Sequence, residues 1–216
     1  MFTYVEDKDF LSRARNLCSE IMQDLCHYLK EDYDIGTIFY LVGSGARNLI
    51  VQNASLPIDL DYNLEIVRCE DYEACRSIKE CVRKSFNKAL HAHRWGDCND
   101  STSALTTERR YFTKGNPTEF SMDVCIVCRD TKGHFHRMIH KKTGFTCYDE
   151  YYWNEAPHSE RIQEKSKYIK KKGKWQLVRT QYLDIKNRLF YSRFLRQEEL
   201  PIRSKIEDRY FHICLL

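Results

Sequence analysis

Apolar residues recur at Phe10, Ala14, Leu17, Ile21, Leu25 and Leu29, in steps of three and four, within a segment from Asp9 to Lys30. That spacing predicts an amphipathic packing helix. Thr37 to Val42 is a short β-branched and aromatic run, stopped by Gly43-Ser44-Gly45 and followed by Ala46-Arg47-Asn48-Leu49-Ile50, which can open a helix. Ile58-Asp59-Leu60-Asp61-Tyr62-Asn63-Leu64-Glu65-Ile66 then alternates apolar and polar at every position, predicting a strand with one buried and one accessible face. Asp71 to His93 reads as a second long helix, with Ile78, Val82, Phe86 and Leu90 along one face.

Three further strand candidates follow, Thr102 to Phe112, Glu119 to Cys128 and His134 to Ile139. Lys114-Gly115-Asn116-Pro117 and Asp130-Thr131-Lys132-Gly133 separate them as hairpin turns. Ser159 to Lys172 and Trp175 to Leu195 look helical, with Gly173 between them and a third short segment after Pro201. The order of elements predicts an α/β (α+β) fold, a mixed β-sheet core flanked by helices. The core spans residues 1–150 and a helical C-terminal part spans 151–216.

Composition narrows this picture only a little. The chain has 216 residues, 42% of them hydrophobic, enough to bury a core, and its formal charge of +4 is too small to imply nucleic acid by itself. No stretch approaches the ~20 apolar residues of a membrane span. The acidic start Met1-Phe2-Thr3-Tyr4-Val5-Glu6-Asp7 is unlike a secretory signal. The ten Cys are scattered without a secretory context, so they read as reduced thiols in a cytoplasmic protein.

The chemistry concentrates in three acids. In an extended strand the Cα atoms of Asp59 and Asp61 lie roughly 6.5 to 7 Å apart with both side chains on one face. Two-metal phosphoryl chemistry places its ions ~3.5–4 Å apart, so one carboxylate can bridge while its neighbour binds from the flank, and magnesium favours such oxygen ligands. Asp123 is a lone acid in the strand-forming run Phe120-Ser121-Met122-Asp123-Val124-Cys125-Ile126-Val127. Burying it without a cation is costly. Alone, the first pair fits a solvated strand face and Asp123 a salt bridge; their joint occurrence with a glycine-serine turn points to a metal site. At Gly43 and Ser44 the missing Cβ and the hydroxyl suit a triphosphate, though plain turn chemistry fits too.

These residues resemble the DNA polymerase β-like nucleotidyltransferase superfamily: an apolar strand Ile38 to Val42, then Gly43-Ser44, then Asp59-Leu60-Asp61, then Asp123 between Met122 and Val124. The basic helical C-terminus is similar to that of small stand-alone bacterial members. Fourteen residues separate Ser44 from Asp59, slightly more than is usual there, implying an extended helix or loop between them. The resemblance implies a nucleotidyltransferase-type core in which Gly43 and Ser44 hold the phosphates of a nucleoside triphosphate, ATP included. Asp59, Asp61 and Asp123 would bind two Mg2+ ions, and Asp123 can also serve as general base. A nucleoside monophosphate would pass to a hydroxyl acceptor, a small molecule, protein or nucleic acid, with pyrophosphate released. The alternative is a catalytically silent nucleotide-binding or antitoxin-like module of the same fold.

Other patterns carry less. Lys165, Lys167, Lys170, Lys171, Lys172, Lys174 and Arg179 can grip triphosphate or a nucleic-acid backbone, Lys167 and Lys171 being the candidate nucleotide contacts, or form an exposed basic face. Tyr151, Tyr152, Trp153 and Trp175 can stack a base or pack the junction with the helical part. Cys125-x-x-Cys128 with His134, His136, His140 and Cys147 superficially suggests zinc. An offset of three along a strand, however, puts the two thiols on opposite faces. No Gly-x-Ser-x-Gly elbow is present to support nucleophilic catalysis.

Overall fold

The computed structural model describes residues 1–156 and 162–198. In chain order the elements are β1 (Phe2–Tyr4), α1 (Lys8–Tyr33), β2 (Gly36–Leu41), α2 (Gly43–Arg47), β3 (Val51–Asn53), β4 (Ile58–Arg68) and α3 (Cys75–Ala92). They continue with β5 (Asn99–Asp100), β6 (Leu105–Thr106), β7 (Phe120–Arg129), β8 (Phe135–Lys141), β9 (Glu150–Glu155), α4 (Ile162–Lys171) and α5 (Trp175–Glu198). The main sheet runs β2-β4-β7-β6-β5, with β8 also on β7 and β9 on β8. β4 and β7 are parallel while their other partners are antiparallel, so the sheet is mixed.

Alternation in β4 and β7 gives the sheet two unlike faces. Ile58, Leu60, Tyr62, Leu64 and Ile66 of β4, with Phe120, Met122, Val124 and Ile126 of β7, point into one core with the apolar stripes of α1 and α3. In α1 that stripe is Phe10, Ala14, Cys18, Ile21, Leu25 and Leu29. The Asp7 carboxylate starts the helix by accepting the Phe10 N–H at 2.9 Å, and left-handed Asp34 ends it. Leu60 is fully buried, so Leu60→Ala would cost about 2–5 kcal/mol. The opposite face carries Asp59, Asp61, Asn63 and Glu65 of β4 beside Ser121, Asp123, Cys125 and Val127 of β7.

The glycine turn differs from the expected turn followed by a helix. Gly43 to Arg47 is itself one short helix, ended by Asn48 at φ 55°, and the chain then enters β3. β3 pairs with β1, which accounts for the long spacing between Ser44 and Asp59: the extra length is an additional strand. The strand expected over Thr102 to Phe112 is only β6 and an isolated bridge from Arg110 to Phe120. β9 was not foreseen. It starts at Glu150, runs into the stretch expected to be helical, and extends the sheet by pairing with β8.

α5 docks on the edge formed by β1 and the end of α2. Asn187 Oδ1 accepts the Phe2 N–H at 2.6 Å, and Phe190 meets the Phe2 ring edge to face at 5.7 Å. The Arg179 guanidinium lies 3.8 Å over Tyr4 and donates to the Asn48 carbonyl at 2.6 Å. The expected first turn from Ser159 falls partly outside the described residues, and the segment after Pro201 wholly so. Among the described residues no helix is long and apolar enough to cross a membrane.

Candidate active site

Register brings the three acids together. Asp61 is directly opposite Asp123 in the parallel pair, and Asp59 is opposite Ser121; adjacent strands lie about 4.8 Å apart, so cross-strand side chains on one face are neighbours. Hydroxyls hold the two outer acids: Ser121 Oγ donates to Asp59 Oδ1 at 2.5 Å, and Thr106 Oγ1, from β6, donates to Asp123 Oδ1 at 2.6 Å. Ser121 and Thr106 were not singled out from sequence. Their signal is positional, since each is the cross-strand partner of an acid.

Asp61, between them, bears the largest electrostatic strain. Burial pushes its carboxyl up to about 7, Asp123 and Asp59 add to the rise, and Lys186 and Arg137 partly offset it. Burial also raises Asp123, with Asp59 adding and the Thr106 hydrogen bond opposing. Lys186 escaped the sequence reading because it lies outside the lysine run; α5 carries it close enough to act on Asp61. Arg137 shares the acids' face through Val127, its partner across β7 and β8.

The glycine turn is tied to the same place. Val42 N–H donates to the Asp61 carbonyl at 2.8 Å, fixing the entry to α2 against β4. Gly43 has φ 60°, a conformation that L side chains rarely adopt, and its carbonyl accepts from Arg47 Nη1 at 3.2 Å. A Cβ on Gly45 would meet Leu41 Cδ1 at 3.0 Å, so that glycine lets the helix pack closely on the strands. The structure thus brings Gly43, Ser44, Asp59, Asp61 and Asp123 to one end of the β2–β4–β7 layer.

Lys167 and Lys171 are on α4, and no described contact joins them to the acids. In that segment Lys170 lies 4.6 Å over Trp175 and Lys172 5.7 Å over Tyr168. Trp153 and Tyr151 face the core, Trp153 Nε1 donating to the Tyr72 carbonyl at 2.7 Å and Tyr151 stacking 4.2 Å from His140. The Cys/His series disperses: Cys125 pairs with Asn63 on the acids' face, whereas Cys128 pairs with His136 and points the other way.

The donor set suits a hard divalent cation by charge. Three carboxylates share one face, and burial and mutual repulsion raise two of them toward their neutral forms, which a cation would reverse. Among the described residues, however, no three His, Cys, Asp or Glu side chains are already gathered as a metal site. Asp59 and Asp123 instead spend Oδ1 on Ser121 and Thr106.

No protein-family model matches the sequence, and no curated protein matches it. Among solved structures, a chain of the CdnC:HORMA-deltaN complex of E. coli MS115-1 matches with a TM-score of 0.53 and 16% identity, over 95% of this chain and 56% of that one. The CD-NTase CdnG of Bradyrhizobium diazoefficiens in complex with GTP matches at TM-score 0.43 and 15% identity, over 67% and 38%. Vibrio cholerae DncV cyclic AMP-GMP synthase in complex with nonhydrolyzable GTP matches at 0.43 and 13%, over 74% and 42%. The chain spans just over half the length of the first and about two fifths of the other two. Likeness to the chain of the CdnC:HORMA-deltaN complex, extending over nearly all of this one, shows that the two share a mixed α+β fold of the nucleotidyltransferase type.

Proposed function

We propose that this protein is a Mg2+-dependent nucleotidyltransferase that moves a nucleoside monophosphate from a nucleoside triphosphate to a hydroxyl acceptor. The observation that carries the reading is the register of β4 on β7, which sets Asp61 against Asp123 with Asp59 beside them. Asp59, Asp61 and Asp123 would hold two magnesium ions, which when bound supply charge neutralisation and acidify an attacking hydroxyl.

The chain's own groups have distinct tasks in this reading. Gly43 and Ser44 line the triphosphate, the glycine by leaving room for it and the serine by donating from its hydroxyl. Lys186 places positive charge next to the acids, and Lys167 and Lys171 add charge from α4. Thr106 and Ser121 fix the outer carboxylates. Asp123 takes the proton of the acceptor hydroxyl as its oxygen bonds to the α-phosphorus in line, and the bond to pyrophosphate breaks.

Pyrophosphate release from each nucleoside triphosphate, with and without Mg2+ and across a panel of hydroxyl acceptors, tests the proposal. The expected result is Mg2+-dependent release that Asp61→Asn abolishes. Undiminished release by that variant would refute the assignment, and nucleotide binding without release on any acceptor would make the chain a sensor.

A further inference from the structure

The hairpin that presents Thr106 to Asp123 is very small. β5 and β6 contribute two residues each, Asn99 pairing with Thr106 and Asp100 with Leu105. Isolated hairpins of full length are only marginally stable, so this one needs outside anchors. Its turn is closed locally by Ser101, whose N–H and hydroxyl both donate to the Ala104 carbonyl at 2.9 Å.

Anchors arrive from two sides. Toward β7, the Thr107 N–H donates to the Met122 carbonyl at 3.0 Å, and Thr107 Oγ1 accepts the Met122 N–H at 3.0 Å. Away from β7 lies a buried charge network centred on Asp100. Lys79 of α3, 1% exposed, pairs with Asp100 Oδ1 at 2.6 Å and donates to the Ser101 carbonyl at 3.0 Å. His140 of β8, 5% exposed, meets Asp100 Oδ2 through Nδ1 at 2.8 Å and Asp149 Oδ2 through Nε2 at 2.9 Å. Its backbone N–H donates to the Thr102 carbonyl at 2.7 Å, and Lys142 Nζ donates to the Asp100 carbonyl. Asp149 is itself fixed by the Thr143 N–H at 2.8 Å.

Buried charge is a poor way to gain stability, because desolvation offsets the attraction; ion-paired groups on separate elements can instead enforce one geometry. We infer that Asp100 is a positioning residue for the carboxylate site: Lys79 and His140 hold it beneath the sheet, the β5–β6 hairpin is thereby fixed against β7, and Thr106 is aimed at Asp123. The catalytic consequence rests on the nucleotidyl-transfer reading, whereas the clamp itself does not. Freed from Thr106, the Asp123 carboxylate would turn about a broad torsion and lose its alignment with Asp61.

The test uses Asp100→Asn and, because that change strands the buried Lys79 charge, the charge-balanced pair Lys79→Met with Asp100→Asn. Hydrogen exchange on the metal-free protein is expected to speed up at the amides of Ser101 and Thr107 while the amides of α1 keep their protection. In turnover, kcat for pyrophosphate release should fall about 10- to 100-fold with KM for the triphosphate little changed. The Asp100 change should cost almost nothing further in a Thr106→Val background. Thr106→Ser should retain activity. Unaltered exchange at Ser101 and Thr107, or a full additive loss on top of Thr106→Val, overturns the inference. A wild-type chain that releases no pyrophosphate overturns the transfer reading alone, since the exchange arm still decides the clamp.

Discussion

Asp61 and Asp123 stand directly opposite each other across the parallel β4–β7 pair, on the sheet face that α1 and α3 leave uncovered. Two acids at adjacent strand positions repel, and burial sharpens the repulsion. Asp61 is raised chiefly by its burial, with repulsion from Asp123 and Asp59 adding, and reaches about 7 from an ordinary 3.8. A folded-state value above the unfolded one means that the native protein binds the proton more tightly than the unfolded chain. The Asp61 contribution to stability is therefore full below about pH 4, is lost as pH rises toward 7 and stays lost above it.

Asp61→Asn should accordingly stabilise the metal-free protein while removing activity. At roughly 1.4 kcal/mol per pH unit, the interval from 3.8 to about 7 sets an upper bound of about 4 kcal/mol, and coupling among the three acids brings the expected gain to about 2–4 kcal/mol at pH 8. Urea unfolding at pH 8 and pH 4.5 checks this, because the gain should shrink to about a quarter at the lower pH. Equal gains at both pH values would rule out the electrostatic origin.

Magnesium should act over the same interval in the opposite sense. Protons and cations compete for the carboxylates, so Mg2+ should raise the melting temperature at pH 8, have little effect near pH 4.5, and lose its effect in Asp61→Asn. Thermal melts across a Mg2+ titration at the two pH values make the comparison. A Mg2+ effect that survives in the variant would place the ion elsewhere.

Much of this arrangement was readable from pattern. The alternation through Ile58 to Ile66 put Asp59 and Asp61 on one face, and the α1 stripe and the core helix around Val82 and Phe86 follow the helical period. Pairing was not readable, because alternation defines faces and says nothing about neighbours. That β7 runs parallel to β4 with Asp123 against Asp61, and that Ser121 and Thr106 hold the outer acids, are matters of register. Short elements were lost for a related reason: β1, β3 and β5 have two or three residues each, too few for any period to show, and β6 is what remains of the longer strand expected over Thr102 to Phe112. β9 was missed because its aromatic run, Tyr151 to Trp153, resembled packing at a junction.

Gly43 should tolerate no side chain without strain. Its φ of 60° lies where a Cβ crowds the following carbonyl, so Gly43→Ala should destabilise the fold by about 1–2 kcal/mol. Because the turn is hydrogen-bonded to the Asp61 backbone, triphosphate affinity should drop at temperatures where the variant is still folded. Denaturant unfolding together with calorimetric titration of nucleotide separates the two effects. Unchanged affinity in a folded variant would remove Gly43 from the nucleotide site.

Lys186 gives the sharpest distinction among the lysines, since its charge is felt at Asp61. Lys186→Met should weaken triphosphate binding about tenfold, corresponding to loss of one charge-assisted contact of roughly 1.4 kcal/mol. It should also move the pH midpoint of metal-free stability upward, because removing a cation that favours ionised Asp61 lets that group hold its proton longer. Lys167→Met and Lys171→Met, on α4 and outside the described contacts of the acids, should leave the midpoint where it is. Their effect on nucleotide affinity then decides whether α4 reaches the triphosphate. Nucleotide titrations and pH-dependent melts on the three variants provide both readouts, and an unmoved midpoint in Lys186→Met would dissociate α5 from the carboxylate site.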